Sequence, residues 1–209
     1  MNLLILGAAG GVGRHLVTQA LEAGHTVTAF VRRPDSLPVQ HDRLQLAIGD
    51  VTDEGTQLAV AMRGQDAVFS AIGRGKSLQS EQLIEHSVPR ILSAMHASGV
   101  RRLIFTSAIG VGDTLRDAPL FSRIIIRVFL SRIYADKIAG EAHILRSDVD
   151  WTLVQPAQLT NGPLTRVYRA GEHLKLRGIP TIGRADVAHF LMAQLDDPAY
   201  SRKIATISY

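Results

Sequence analysis

The sequence predicts an α/β fold: a doubly wound parallel sheet with helices on both faces. Three observations predict it. Short apolar segments alternate with longer helical segments almost to the end of the 209 residues. Several apolar segments, such as 3–6 and 103–105, are continuous, as expected for parallel strands that are covered on both faces. A glycine-rich turn joins the first apolar segment to the first helical one.

The elements follow in chain order from these patterns. Strands are predicted near residues 3–7, 26–31, 44–48, 67–71, 102–107, 151–155 and 203–208. Helices are predicted near residues 12–23, 54–62, 78–98, 120–147 (with room for a break) and 184–195. Gly24, Gly64 and Gly99 mark helix ends.

Two stretches have no clear element, residues 108–119 and 156–182. In sheets of this kind the loops at the carboxyl ends of the strands usually form the substrate site. We therefore expect one domain over residues 1–209, with these two loops building most of the substrate region.

Composition excludes several classes of protein. The chain is 46% hydrophobic, enough for a sizeable core, and no apolar run reaches the roughly 20 residues that cross a bilayer. The first strand begins near Asn2, so we expect no signal or transit peptide. There is no cysteine, and the histidines lack metal-ligand spacing. We expect a soluble cytoplasmic protein without a metal.

The charge balance is basic, with a net charge of +4 and a pI of about 9.8. The basic residues are dispersed and only 5% of residues are aromatic, so we expect neither a nucleic acid nor a membrane partner. A phosphorylated small molecule explains a few well-placed arginines better. The sequence leaves open whether the protein is a monomer or a homodimer.

The glycine-rich turn reads GAAGGVG over residues 7–13. A strand, a glycine turn and a helix start together can hold a dinucleotide pyrophosphate, because missing Cβ atoms let backbone N–H groups approach the phosphates. The positive end of the helix then faces the anion. A lone glycine pattern can be only a tight turn, but its position favours a Rossmann-like dinucleotide site. The predicted contacts are Gly7, Ala9, Gly10, Gly11, Val12 and Gly13.

Arg32 and Arg33 follow the second predicted strand. NAD-preferring versions of the fold usually carry an acidic residue there, which binds the ribose 2′-hydroxyl. Two guanidinium groups suit a 2′-phosphate instead. The sequence therefore favours NADP(H) over NAD(H), the alternative being a solvated pair before the turn at residues 34–38.

Further candidate cofactor contacts follow the third and fourth strands. Asp50 can accept a hydrogen bond from the adenine amino group with Val51 beside the ring, or it can be a turn residue. Ala71, Ile72 and Gly73 are small or apolar and let the backbone approach a ribose. Arg74 can reach a phosphate, or it can be a surface charge.

Together these positions resemble the atypical short-chain dehydrogenase/reductase group, its NAD(P)H-binding family, and within it the biliverdin-IXβ reductase/flavin reductase branch. The resemblance covers nearly the whole chain. The segments that carry it are GAAGGVG (7–13), GHTVTAFVRRPDSLP (24–38), GDV (49–51), SAIG (70–73), FTSAIG (105–110), DVDWTLVQPAQLTNGPLT (148–165) and GRADVAHFL (183–191). It implies the fold and cofactor class, and it defines the substrate much less, because fold does not fix function.

The group generally uses serine, tyrosine and lysine, with the tyrosine four residues before the lysine. The resemblance assigns Ser107 and Lys137 to the serine and lysine positions, but Ile133 occupies the tyrosine position. Tyr134 is three residues before Lys137, which turns it about 100° around a helix. We do not assign Tyr134 as the proton donor.

This departure favours acceptors that do not need that tyrosine. A conjugated flavin, bilin or quinone-like acceptor can take a hydride while its proton comes from water. The resemblance places Gln158 near the nicotinamide, where the branch has a histidine, and adds Thr106, Pro156 and Leu159 as cofactor contacts. The alternatives are a non-catalytic NADP(H)-sensing regulator and an epimerase-like enzyme, which Ile133 disfavours because such reactions usually need a proton shuttle.

Overall fold

A computed structural model describes residues 1–73, 82–112, 130–176 and 178–209. The strands are β1 (Asn2–Leu6), β2 (Thr26–Val31), β3 (Leu44–Ile48), β4 (Ala67–Ser70), β5 (Arg102–Thr106), β6 (Asp150–Pro156), β7 (Gln158–Thr160), β8 (Arg169–Gly171), β9 (Thr181–Gly183) and β10 (Lys203–Ser208). The helices are α1 (Gly11–Glu22), α2 (Gln57–Met62), α3 (Leu83–Ser98), α4 (Ser131–Arg146) and α5 (Arg184–Ala193). Short 3₁₀ turns occupy Pro34–Ser36 and Pro198–Tyr200.

The main sheet has eight strands in the order β3-β2-β1-β4-β5-β6-β10-β8. Its pairs are parallel except for the antiparallel pair of β8 and β10. The chain runs outward from β1 to β3 and then crosses to β4 on the other side of β1. The carboxyl ends of β1 and β4 therefore border the crevice where open α/β sheets bind ligands.

The core lies on both faces of this sheet. Residues 3–6 of β1 are fully buried, and they alternate between two apolar clusters. Leu3 and Ile5 face the cluster that contains residues of α1 and α5. Leu4 and Leu6 face the cluster that contains residues of α2, α3 and α4. The predicted doubly wound fold, with helices on both faces, is confirmed.

One part of the element prediction is wrong. The stretch 156–182, which the sequence leaves without an element, contains β7, β8 and the first two residues of β9. β7 pairs with β9 in a separate two-stranded sheet, and β8 extends the main sheet. Three-residue strands are too short to show the alternation that identifies a strand. Residues 78–81 and 120–129 of the predicted helices, and 113–119 of the other predicted loop, lie outside the described residues.

Asp186, in the first turn of α5, forms hydrogen bonds with the segment that follows β7. Its buried carboxylate accepts hydrogen bonds from the backbone N–H groups of Thr165 (2.9 Å) and Arg166 (2.7 Å) and from the Tyr209 hydroxyl (2.7 Å). Burial alone raises the pKa of Asp186, but these hydrogen bonds outweigh it and hold the pKa below its ordinary value. The carboxylate thus stays ionised at neutral pH and fixes the segment at the carboxyl edge of the sheet.

None of the helices in the described part of the chain is both long and apolar enough to cross a bilayer.

Candidate functional site

The turn between β1 and α1 needs glycine for close approach. Gly7 has a positive φ of 76°, and a Cβ there would lie 2.6 Å from the carbonyl oxygen of Ala71. The Gly10 N–H donates to the Gly7 carbonyl at 2.9 Å and closes the turn. At Gly13, a Cβ would lie 2.1 Å from that same Gly7 carbonyl. The two glycines let β1, β4 and α1 meet more closely than side chains allow.

The amino end of α1 faces the same crevice. Gly10 caps the helix without a side-chain hydrogen bond, and the first turn carries no acidic residue. The unpaired N–H groups of a helix start and the helix dipole attract anions. The loop therefore has the geometry of a pyrophosphate cradle.

Arg184, the first residue of α5, lies against this cradle. A Cβ at Gly11 would be 2.7 Å from both Cδ and Nε of Arg184. The guanidinium is held by Asn161, whose Oδ1 accepts from Nη1 at 2.7 Å. Sequence reasoning missed Arg184 because it is far from the glycines along the chain. Arg184 directly follows β9, but the sequence does not predict that strand, so it gives no sign that Arg184 lies near the glycine turn.

Arg32 and Arg33 lie past the end of β2 with exposed side chains. Arg33 is 3.9 Å from Asp35, and both side chains are more than three-quarters exposed, so this ion pair contributes little to stability. Arg14 joins this segment to the glycine turn, donating to the Ala9 carbonyl at 2.9 Å and the Ser36 carbonyl at 3.0 Å. The arginine segment and the cradle are thus parts of one edge.

Asp50 has the turn role that the sequence left open. Its Oδ1 accepts from the Thr52 N–H at 2.9 Å and the Thr52 hydroxyl at 2.7 Å. Partial burial raises the pKa of Asp50, but these hydrogen bonds and the charge of Arg32 outweigh it and lower the pKa overall. Val51 beside it is buried. A turn role does not exclude a ligand contact, and the adenine contact stays a prediction.

Three buried hydroxyl groups lie at the carboxyl ends of β4 and β5. The side-chain oxygens of Ser70, Thr106 and Ser107 have no hydrogen-bond partner within the described part of the chain. Unpaired buried hydroxyls are costly and rare in folded proteins. They fit a polar ligand, and together with the glycine cradle they fit a nicotinamide dinucleotide.

Residues 71–74, the predicted ribose and phosphate contacts, follow β4. Ala71 and Ile72 continue from β4, and the Ala71 N–H donates to the Leu6 carbonyl at 2.9 Å. No atom of the described residues lies within 4 Å of the position that a Cβ would take at Gly73. Arg74 lies outside the described residues.

Helix α4 brings three functional groups to this region. Tyr134 donates its hydroxyl to the Ile109 carbonyl at 2.9 Å, and burial raises its pKa to about 12. A hydroxyl with a raised pKa that already donates to a carbonyl is a poor proton donor. Lys137 and Glu141 are one turn apart, and Glu141 is 4% exposed.

Glu141 is the second functional group that sequence reasoning missed. Its two carboxylate oxygens accept from Nε2 of Gln155 at 3.2 and 3.3 Å. Burial raises the pKa of Glu141, while the nearby Ser107 hydroxyl, the Gln155 amide and the charge of Lys137 act to lower it. The sequence offered only the spacing of Lys137 and Glu141, without any sign that the carboxyl is buried.

The remaining predicted contacts follow β6. The Pro156 carbonyl accepts from the Ile109 N–H at 3.1 Å, which ties the ends of β5 and β6. Gln158 is exposed and opens β7, with its N–H donating to the Pro180 carbonyl at 3.1 Å. Leu159 packs against the core. Gln158 thus lies on a short strand, whereas the sequence placed it in a loop.

The sheet order, the glycine turn and the unpaired hydroxyls define a Rossmann-like dinucleotide-binding protein. A comparison of the sequence with family models then gives the particular family. The chain belongs to the NAD(P)H-binding family, whose model matches residues 7–198.

Solved structures share the fold over nearly the whole chain. A short-chain dehydrogenase/reductase from Veillonella parvula in complex with NADP has a TM-score of 0.82 at 18% identity and covers 100% of this chain and 94% of its own. ChuY from Escherichia coli O157:H7, described as an anaerobilin reductase, has a TM-score of 0.81 at 21% identity and covers 99% and 96%. At these identities the likeness concerns the fold.

Among curated proteins, a 3-beta-hydroxysteroid dehydrogenase of Mycolicibacterium neoaurum is 32% identical over 121 residues, 53% of this chain. The chain spans 32% of that relative's length. Together with the family match, these comparisons confirm the resemblance to the atypical short-chain dehydrogenase/reductase group.

Proposed function

We propose that the protein is an NADPH-dependent oxidoreductase that reduces a planar conjugated acceptor such as a flavin, a bilin or a quinone-like molecule. One observation carries the proposal. The resemblance gives Ser107 and Lys137 the serine and lysine positions, but Ile133 stands where a tyrosine would protonate an alkoxide, and the neighbouring Tyr134 hydroxyl donates to the Ile109 carbonyl. A conjugated acceptor does not require that tyrosine. When bound, the dihydronicotinamide supplies the hydride.

The binding residues follow the carboxyl edge of the sheet. In this proposal the turn binds the pyrophosphate through residues 7–13, with Arg184 beside it. Asp50 and Val51 contact the adenine, and residues 71–74 contact the ribose and phosphates. Contacts at the nicotinamide end are Thr106, Ser107, Lys137, Pro156, Gln158 and Leu159.

Arg32 and Arg33 give the preference for NADPH over NADH. Their side chains are exposed, and within the described ranges the Arg33 side chain has one ion pair, a long, solvated contact with Asp35 at 3.9 Å. Neither arginine must break a strong bond to bind a 2′-phosphate. A charge-assisted hydrogen bond contributes about 1.5–3 kcal/mol, or roughly tenfold or more in affinity.

The reaction itself depends mainly on orientation. The buried Ser107 hydroxyl lies at the end of β5, where it can donate a hydrogen bond to the acceptor. Holding two flat rings in contact in a site that excludes water lowers the barrier by removing the cost of bringing them together. The bilin acceptor class has support from the structural neighbour described as an anaerobilin reductase.

The test is oxidation of NADPH by FMN, FAD, a bilin and a quinone, followed by the absorbance of the reduced nicotinamide. We expect turnover with at least one of them. Ser107→Ala should slow that reaction, whereas Ser93→Ala, an exposed serine on α3, should not. Tight NADPH binding without turnover by any acceptor would contradict the proposal and favour a cofactor-sensing regulator.

A further inference from the structure

Glu141 is a buried acid that the proposed reaction does not yet use. We propose that the Glu141 carboxyl stores a proton beside Ser107 and delivers it, through the Ser107 hydroxyl, to the acceptor as the acceptor is reduced. This inference rests on the proposed function, and it replaces water as the immediate proton source.

The surroundings of Glu141 favour the neutral acid. The residue is 4% exposed, and among the described residues its side-chain hydrogen-bond partner is the amide of Gln155, which is fully buried. The neutral Gln155 amide forms hydrogen bonds with the Glu141 carboxyl but brings no positive charge to balance an ionised carboxylate. Removing an ionised carboxylate from water without a matching cation in contact is expensive, so such a group tends to keep its proton.

The groups that face Glu141 come from three neighbouring elements. Ser107 follows β5, Gln155 lies on β6, and Lys137 is one turn earlier on α4. Lys137 is the charged group among them, and its effect on the pKa of Glu141 is smaller than that of burial. On the side toward α3, Asp136 is directed at the helix start, where it accepts from the Ile84 and Glu85 N–H groups at 3.0 and 2.9 Å.

Ser107 is placed to pass the proton on. Its backbone N–H is fixed to the Val154 carbonyl at 2.7 Å. Its hydroxyl interacts with the Glu141 carboxyl closely enough to affect the pKa, yet makes no hydrogen bond of standard geometry to the described residues. The hydroxyl can therefore turn to an incoming ligand. The hydroxyl of Tyr134, on the same helix as Glu141, is by contrast already donated to the Ile109 carbonyl at 2.9 Å.

The proton steps balance without a further reactant. Both electrons reach the acceptor with the hydride of the proposed function. The Ser107 O–H bond breaks as an N–H or O–H bond forms on the acceptor, and the proton of Glu141 restores the Ser107 hydroxyl. The Glu141 carboxylate then takes a proton from water, so the chain is unchanged after each cycle. Glu141 acts through Ser107 and is a positioning residue.

The first test reads the protonation of Glu141 without turnover. In the free protein at neutral pH, infrared difference spectra between wild type and Glu141→Gln should show the carbonyl stretch of a protonated carboxylic acid. Asp136→Asn is the matched control, because Asp136 is also buried on α4, at 3% exposure. A carboxylate signal for Glu141 at neutral pH would overturn the inference, whether or not any acceptor is reduced.

The pH dependence of the free energy of unfolding is a second test of whether Glu141 is protonated. Because the pKa of Glu141 is raised in the folded state, the folded protein binds more protons than the unfolded chain between the ordinary and the raised pKa. Wild-type stability should therefore fall as the pH rises through that window, and Glu141→Gln should be less sensitive to pH there. Equal pH dependence in both proteins would contradict the inference.

The third test uses the acceptor that wild type reduces. Glu141→Gln should lower kcat by about 10²-fold, as for loss of a general acid, with the Kd for NADPH unchanged. The wild-type kcat should fall as the pH rises through the raised pKa of Glu141, and this limb should disappear in the variant. If Glu141→Gln left kcat and the pH profile unchanged, proton transfer from Glu141 through Ser107 would be wrong. Ser107→Ala should add little to Glu141→Gln if both act in one chain of proton transfers.

Discussion

Arg32 and Arg33 are the residues on which cofactor preference depends. Both lie past β2 at the edge that carries the glycine turn, and Arg14 ties their segment to that turn through the Ser36 carbonyl at 3.0 Å. Arg32 also acts electrostatically on Asp50, past β3. Arg33 forms one long ion pair with Asp35 among the described residues. Because exposed ion pairs contribute little to stability, Arg33 can move to a phosphate at little cost.

Replacing Arg32 tests this at the scale of one residue. Arg32→Ala should weaken NADPH binding about tenfold and leave NADH binding unchanged, because only NADPH carries the 2′-phosphate. The measurement is the Kd of each cofactor by calorimetry. Arg101→Ala is the control, since Arg101 precedes β5 at the opposite edge of the sheet. An equal loss for both cofactors would show that Arg32 does not recognise the 2′-phosphate.

At the scale of elements, the junction of β1, α1 and β4 determines whether the cradle exists. Gly7 and Gly13 have backbone atoms closer than 3.0 Å to the position of a Cβ. Gly11 differs, because the atoms nearest to its missing Cβ belong to the long Arg184 side chain. A Cβ at Gly7 or Gly13 would push a strand or a helix out of place, because the nearest atoms belong to the backbone. A Cβ at Gly11 would only require the Arg184 side chain to rotate.

Two alanine variants separate these cases. Gly13→Ala should destabilise the protein by about 1–3 kcal/mol, as overpacking does, and should weaken NADPH binding strongly. Gly11→Ala should leave the melting temperature nearly unchanged and displace Arg184, so NADPH binding should weaken moderately. Thermal unfolding and calorimetry check both. If Gly13→Ala were as stable as Gly11→Ala, the close packing of α1 on Gly7 would be wrong.

The elements also show how far the sequence can predict the structure. The glycine turn was predictable because its strand, turn and helix are contiguous, and the core strands because they are long and continuously apolar. The strands β7, β8 and β9 were not, since each is three residues long. Arg184 and Glu141 were missed because their settings arise from contacts between distant segments, which a single sequence does not show.

At the scale of the whole molecule, the fold gathers groups from distant parts of the chain along one edge. The parallel strands β1 to β6 end on the same side, so the cradle, the arginines, the buried hydroxyls and Gln155 with Glu141 lie around a common crevice. Family membership establishes an NAD(P)H-binding protein. Within that family, the exposed arginines after β2 carry the proposed preference for NADPH.

Calorimetric titration of the wild-type protein with NADPH, and in parallel with NADH, tests the central claim most directly. We expect saturable heat with NADPH and binding at least about tenfold weaker for NADH, as the loss of one charge-assisted phosphate contact implies. Equal affinities would contradict the role of the arginines, and no heat or thermal protection with NADPH would contradict the cofactor site itself.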